Sequence, residues 1–173
     1  MEKVLQDRWT SKIVLNSETK TVTKHLKTKN FTEYDFELYK KVSANNPYFI
    51  QVKEHIDDVT YTMEYLPKVV GNVQSYFANN KFTKQEYIKL FNLVTGVWTS
   101  AMQVSADLPE DQFYVHDDFK FENIAVCNSK DMGLSFKLLD CDCWHVMNGT
   151  ESLDTFYYSL FKMSLLMQRL NYV

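Results

Sequence analysis

Four side chains between positions 118 and 140 have the types that phosphoryl transfer requires. Asp118, Lys120 and Asn123 lie at offsets of zero, two and five in one polar segment, and Asp140 ends the mostly apolar run 136–139. Phosphoryl transfer needs a carboxylate near the attacking hydroxyl, a cation on the moving phosphate, and an amide and a second carboxylate to hold Mg²⁺. Loops rich in Asp, Lys and Asn are common on protein surfaces, but this spacing beside a predicted strand hairpin is not. The region therefore indicates phosphoryl-transfer chemistry.

The same region resembles the catalytic loop of protein kinases, whose pattern is His-Arg-Asp-Leu-x-x-x-Asn followed by Asp-Phe-Gly. The chain reads HDDFKFEN over positions 116–123 and LLDCD over positions 138–142. The resemblance implies that Asp118 is the catalytic base and that Lys120 contacts the transferred phosphate. It also implies that Asn123 and Asp140 bind Mg²⁺. The resemblance therefore implies that the protein is an ATP- and Mg²⁺-dependent phosphotransferase, similar to a minimal Ser/Thr protein kinase of the short effector or phage type.

A predicted strand upstream carries a candidate phosphate-binding lysine. The sequence Val22-Thr23-Lys24 resembles the kinase strand whose lysine holds the α- and β-phosphates. Side chains alternate along a strand, so Val22 and Lys24 are expected to face the same way. In the resemblance, Val22 lies against the adenine of the nucleotide and Lys24 points toward its phosphates.

Kinases pair that lysine with an acid on the following helix, and the resemblance offers two candidates, Asp35 and Glu37. Helical phase favours Asp35, because Glu37 falls on a stripe that is expected to face water. Counting back from Pro47 selects Glu37 instead. Both residues remain candidates for the partner of Lys24.

The segment 62–67 resembles the hinge that joins the two lobes of a kinase. In that resemblance the Glu64 carbonyl and the Leu66 amide meet the adenine edge, and Met63 lies at the back of the pocket. The resemblance assigns adenine contacts to five residues, namely Val22, Met63, Glu64, Leu66 and Ala125.

Hydrophobic periodicity predicts the order β-β-β-α-β-β, then α-α-loop-β-β-α. Residues 1–66 are expected to form a five-stranded antiparallel sheet with one inserted helix, and residues 68–173 a mainly helical part with one strand hairpin. Within the second part, the final helix is expected from about Asp154 to Leu170. The fold class is therefore α+β. The resemblance implies one bilobal kinase-like domain, with the hinge near 63–67 and a C-lobe that lacks its later helices.

Composition excludes several other classes of protein. A net charge of -3 argues against general binding to nucleic acid or acidic membranes, which requires a basic surface. No apolar run approaches 18 residues, so we expect no membrane span and a soluble cytoplasmic protein. The three cysteines make an odd count, and the pair Cys141 and Cys143 beside His145 falls short of the four ligands of a structural zinc site.

The departures from the kinase pattern leave two alternatives open. Asp117 replaces the family's arginine, Cys141-Asp142 replaces Phe-Gly, and the segment 7–11 has no glycine where kinases place a glycine-rich cover. The acidic Asp142 favours a small-molecule kinase of the aminoglycoside or choline type. The missing glycine-rich cover favours a pseudokinase that acts as a protein-binding module. For the kinase itself, a protein substrate or an activating protein partner is expected.

Overall fold

The computed structural model describes residues 1–44, 46–129 and 133–170. Its N-terminal part is a five-stranded antiparallel sheet in the order β1-β2-β3-β5-β4. The strands are β1 Glu2–Asp7, β2 Ser11–Asn16, β3 Thr21–Leu26, β4 Val52–Asp57 and β5 Thr60–Glu64. This sheet and the α+β class confirm the fold expected from hydrophobic periodicity.

Strand β3 positions the candidate lysine because its side chains alternate in burial. Val22, Lys24 and Leu26 are buried, whereas Thr21, Thr23 and His25 between them are partly exposed. Central strands of a sheet cover one face with apolar side chains, and a lysine in such a row must find carboxylate partners. Lys24 therefore reaches the interior of the protein from the middle of the sheet.

Helix α1, Glu33–Ser43, follows β3 and begins with a reciprocal cap. The Thr32 hydroxyl accepts a hydrogen bond from the Asp35 amide, and the Asp35 carboxylate accepts one from the Thr32 amide. This capping box satisfies backbone donors that lack partners at a helix start. The buried face of α1 includes Phe36 and Tyr39, which pack against the sheet and the central core.

The C-terminal part combines three helices with five short strands. The helices are α2 Val73–Asn79, α3 Lys84–Ser105 and α4 Thr150–Leu170. The strands are β6 Val69–Asn72, β7 Gln112–His116, β8 Ile124–Ser129, β9 Gly133–Leu138 and β10 Trp144–Asn148. Strands β6, β8 and β9 form one antiparallel sheet, and β7 pairs with β10 in another.

Three of these elements were absent from the sequence-based expectation, and one begins earlier than predicted. Strands β6, β7 and β10 are four or five residues long, too short for alternation to stand out from the neighbouring loops. Helix α4 begins at Thr150 rather than near Asp154, after Gly149 with its positive φ of 80°. Asp154 therefore lies inside the helix, with its side chain exposed.

The two parts of the chain meet through backbone pairing and a buried aromatic cluster. The Leu138 amide donates to the Tyr48 carbonyl (2.7 Å), and the Leu138 carbonyl accepts from the Ile50 amide (3.1 Å). Trp144 is fully buried, with ring centroids 5.3 Å from Tyr114 and 5.7 Å from Phe49. These contacts hold the end of β9, which the candidate metal ligand Asp140 follows, against the segment 48–50 that leads into β4.

No helix in the described part of the chain is both long and apolar enough to cross a bilayer.

Candidate active site

A cleft of about 790 Å³ lies between the inner side of the five-stranded sheet and the loops that follow β7 and β9. Its walls include the first strands, the end of β3 and the beginning of β8. Six of the residues predicted from the sequence line it, namely Lys24, Asp118, Lys120, Asn123, Ala125 and Asp140. Residues from three separate segments of the chain therefore share one cavity.

The loop after β7 is held together by contacts among its own residues. The Asn123 amide nitrogen donates to the Asp118 carbonyl (2.9 Å) and to the Asp118 carboxylate (3.1 Å). The Lys120 ammonium lies 2.6 Å from the same carboxylate. Phe119 and Phe121 in the same loop are buried, whereas the polar residues Asp118, Lys120 and Asn123 line the cleft.

His116 supports this loop from the core. Its Nδ1 accepts a hydrogen bond from the Asp118 amide at 3.2 Å, so the neutral ring carries its proton on Nε2. Burial lowers the pKa of His116 to about 4, against the opposing effect of the nearby Asp140 and Asp117. A neutral imidazole therefore positions the backbone of Asp118 at physiological pH.

Asp140 is placed beside this loop by the end of β9. The Leu139 amide donates to the Asn123 carbonyl at 2.8 Å, which joins the two loops next to their functional side chains. Asp140 itself has a left-handed backbone with φ of 53°, a conformation that Asp tolerates better than most residues. Its side chain is about one-third exposed, and Oδ1 lies 2.8 Å from the Lys24 ammonium.

Lys24 is 5% exposed and contacts two carboxylates. Its ammonium lies 2.8 Å from Asp140 Oδ1 and 2.6 Å from Asp142 Oδ1. Burial by itself would lower the pKa of Lys24, but the charges of Asp142 and Asp140 outweigh it and raise that pKa well above its usual value. Lys24 is therefore positively charged at physiological pH.

Asp142 is a functional candidate whose contact with Lys24 sequence reasoning missed. Its side chain is 2% exposed, and it accepts a hydrogen bond from the Tyr61 hydroxyl at 2.6 Å and ion-pairs with Lys29 at 2.8 Å. Burial would raise the pKa of Asp142, but Lys24 and Lys29 outweigh it and hold that pKa far below the usual range. An acid between Cys141 and Cys143 in an otherwise apolar stretch was the available signal, because buried acids are rare unless paired.

The predicted pairing of Lys24 with an acid of α1 is not found. The Asp35 carboxylate caps its own helix through the Thr32 amide and hydroxyl, and Glu37 pairs with Lys40 at 2.8 Å on the surface. Helical phase and motif spacing could not identify the acid, because a residue from a distant segment occupies the position beside Lys24. Asp35 and Glu37 are therefore corrected from nucleotide-site residues to a capping residue and a surface residue.

The predicted adenine contacts divide between the cleft and the core. Ala125 lines the cleft, whereas Val22 and Met63 are buried opposite each other in the β3–β5 pair. The Glu64 carboxylate binds the Gln51 amide (2.9 Å) and the Lys137 ammonium (2.8 Å). Val22, Met63, Glu64 and Leu66 do not line the 790 Å³ cleft, so the cavity includes the predicted phosphate and metal residues and, of the five predicted adenine contacts, Ala125 alone.

The loop between β1 and β2 covers the cleft without a glycine. Arg8 and Thr10 from this loop line the cavity together with Ser11. A tight turn is still formed, because the Arg8 amide donates to the Ser11 carbonyl at 2.9 Å. This loop thus offers an arginine where the kinase pattern offers bare backbone amides.

The acidic and amide side chains of the cleft fit a Mg²⁺ ion carried by phosphates. Among the described residues, no three His, Cys, Asp or Glu side chains form a cluster that could hold a metal alone. Magnesium bound with nucleotide uses one or two carboxylates and completes its shell with phosphate oxygens and water. Asp140 and Asn123 are suited to that role, since both line the cleft. The Asn123 side-chain nitrogen donates to the Asp118 carbonyl, so its side-chain oxygen is the atom that would bind a metal.

A scan of the sequence against models of protein families finds no match, and a search of curated proteins finds no significant relative.

Proposed function

We propose that the chain is an ATP- and Mg²⁺-dependent phosphotransferase with a bilobal kinase-like fold, acting as a minimal Ser/Thr protein kinase. One observation carries the proposal: β3, the loop after β7 and the segment after β9 bring Lys24, Asp118, Asn123 and Asp140 to a single cleft. Surface residues that matched the motif by chance would have no reason to converge. The strand order β1-β2-β3-β5-β4 with α1 after β3 agrees with the N-lobe that the resemblance implies.

In this proposal the chain supplies positioning and charge. Lys24 holds the α- and β-phosphates, and Lys120 follows the phosphoryl group as it moves to the acceptor. Asp118 accepts the proton of the attacking hydroxyl, and Asn123 holds Asp118 in place through the two hydrogen bonds of 2.9 and 3.1 Å. Such positioning and electrostatic stabilisation account for most of the catalysis in phosphoryl transfer.

Asp140 and Asn123 would hold Mg²⁺, which would neutralise negative charge on the phosphates. The Asp140 carboxylate is shared with Lys24, so the metal ligand and the phosphate-binding lysine are neighbours before nucleotide enters. The resemblance places adenine against Val22, Met63, Glu64, Leu66 and Ala125.

The proposal is tested by comparing wild type with Asp118→Asn in the presence of radiolabelled ATP, Mg²⁺ and generic protein substrates. Asparagine keeps the shape of the side chain but cannot accept the proton, so we expect label transfer to fall by about 100-fold or more. The matched control is Glu54→Gln on the exposed side of β4, which removes a charge outside the cleft. Equal label in wild type and Asp118→Asn would refute the assignment.

A second candidate is a nucleotide-binding module without phosphoryl transfer. It is favoured by the pairing of Asp118 with Lys120 at 2.6 Å, which occupies the proposed base. Thermal shift separates the two, because a ligand that binds only the native state raises the melting temperature. A shift with Mg²⁺-ATP but no label on any acceptor supports the binding module, and label on a small alcohol alone supports a small-molecule kinase.

A further inference from the structure

Asp142 is the one acidic side chain that is buried in the part of the chain that the structure describes. Both of its carboxylate oxygens are used. Oδ1 contacts the Lys24 ammonium and the Tyr61 hydroxyl at 2.6 Å each, and Oδ2 contacts the Lys29 ammonium at 2.8 Å. A buried carboxylate with charged and neutral donors on both oxygens has a fixed orientation, because any rotation would break a charge-assisted hydrogen bond.

The second carboxylate partner of Lys24 is held much less firmly. Asp140 is about one-third exposed, and the Lys24 ammonium reaches it at 2.8 Å. If Asp140 turns toward a metal ion, Lys24 keeps its contact with Asp142. The buried Asp142 is therefore the constant partner of Lys24, and the more exposed Asp140 can also bind a metal ion.

We propose that Asp142 is the positioning residue for Lys24, in the place of an acid from α1. This inference rests on the proposed function, since it concerns how the phosphate-binding lysine is oriented. Lys29 and Tyr61 orient Lys24 indirectly, by holding Asp142. Tyr61 lies beside Lys24 on the neighbouring strand, and the Lys29 ammonium also donates to the backbone carbonyl of Asp142 at 2.9 Å.

The location of Asp142 has a regulatory consequence. In kinases that use a helix acid, the lysine is correctly paired only when that helix is in position, and movement of the helix controls activity. Here the acid lies two residues after Asp140, on a segment tied to the catalytic loop through the Leu139 amide. Orientation of Lys24 is thus a product of folding and requires no displacement of α1.

Steady-state kinetics test the positioning role. We expect Asp142→Asn to lower kcat by about 100-fold, with a smaller change in the KM for ATP, because a misplaced lysine still attracts phosphate. Asp142→Glu keeps the charge and is expected to recover part of the loss. Asp35→Asn tests the competing helix acid and is expected to leave both parameters within about twofold of wild type. Loss of kcat in Asp35→Asn with none in Asp142→Asn would overturn the proposal.

A metal role for Asp142 is a distinct outcome of the same experiment. If saturating Mg²⁺ restores the turnover of Asp142→Asn, then Asp142 acts as a metal ligand and the positioning role is wrong. Should Asp142→Asn fail to fold, Lys29→Met and Tyr61→Phe each remove one contact from Asp142. Each is then expected to lower kcat several-fold, and unchanged kcat in both would contradict the proposal.

A double-mutant cycle tests the pairing without any nucleotide. Lys24→Met and Asp142→Asn, alone and together, are unfolded with urea, and the coupling is the departure from additivity. We expect a coupling of about tenfold or more in the unfolding constant, and none for Lys24→Met with Asp35→Asn. If the cycle shows coupling but the protein never transfers phosphate, the Lys24–Asp142 pairing stands and the proposed function is refuted. If turnover is normal and the cycle shows no coupling, the pairing alone is refuted.

Discussion

The loop after β7 and the Lys24–Asp142 centre use the same kinds of side chain in opposite ways. In the loop, Lys120 and Asp118 are each nearly half exposed and lie two residues apart in sequence. In the centre, Lys24 and Asp142 are almost fully buried and lie 118 residues apart. The two ion pairs have the same length of 2.6 Å, yet their energetic roles differ.

The difference follows from solvent. An exposed ion pair is screened by water and contributes about 0–1 kcal/mol. A buried pair gains little net stability over an apolar pair, but removing one partner leaves an uncompensated charge in the core. The loop can therefore exchange its partners for a substrate at small cost, whereas the centre holds its geometry. The proposed phosphotransferase would require one region of each kind.

The largest expected effect is on stability. Asp142→Ala leaves Lys24 and Lys29 without their shared carboxylate, and we expect the free energy of unfolding to fall by about 3–5 kcal/mol. Asp118→Ala removes an exposed pair and is expected to cost about 1 kcal/mol or less. Urea denaturation of both variants measures the contrast. Equal losses would mean that burial does not distinguish the two regions.

The second prediction concerns pH and His116, which lies between the two regions. Burial lowers the pKa of His116 to about 4 from its ordinary 6.5, so the unfolded chain binds a proton in this range that the folded protein does not. Stability must then fall as the pH decreases from 6.5 to 4, by up to about 1.4 kcal/mol per pH unit from this group.

We expect His116→Leu to flatten that part of the curve of unfolding free energy against pH. The carboxylates that titrate near pH 4 remain in both proteins, so the difference between the curves isolates the histidine. His25→Gln is the matched control, because His25 is only partly buried on β3. A His116→Leu curve with the wild-type slope would show that the ring is protonated in the folded protein.

The smallest expected effect separates α1 from the cleft. Asp35→Ala breaks the capping box at Thr32 and is expected to cost about 1 kcal/mol of stability. Glu37→Ala removes an exposed pair with Lys40 and is expected to cost less than about 0.5 kcal/mol. Thermal unfolding of the two variants measures this order. A loss in Asp35→Ala as large as in Asp142→Ala would place Asp35 in the buried network instead.

Local patterns in the sequence accounted for the elements that depend on local interactions. The alternation in β3 and the pairs β1–β2, β2–β3 and β4–β5 of the five-stranded sheet join residues close together in the chain. Strands β6, β7 and β10 were not predicted, because each is short and is defined by a partner far away in sequence. Their hydrogen bonds exist only once the chain has folded.

The candidate site divides in the same manner. The spacing of Asp118, Lys120 and Asn123 was by itself enough to predict that they lie together, since one short loop brings such near neighbours into contact. The partner of Lys24 was decided by the tertiary structure alone. Helix α1 carries two acids, Asp35 and Glu37, where the motif predicts the partner of Lys24. The segment that follows β9 instead places the Asp142 carboxylate 2.6 Å from the Lys24 ammonium. A buried ammonium pairs with the carboxylate that the tertiary structure places beside it.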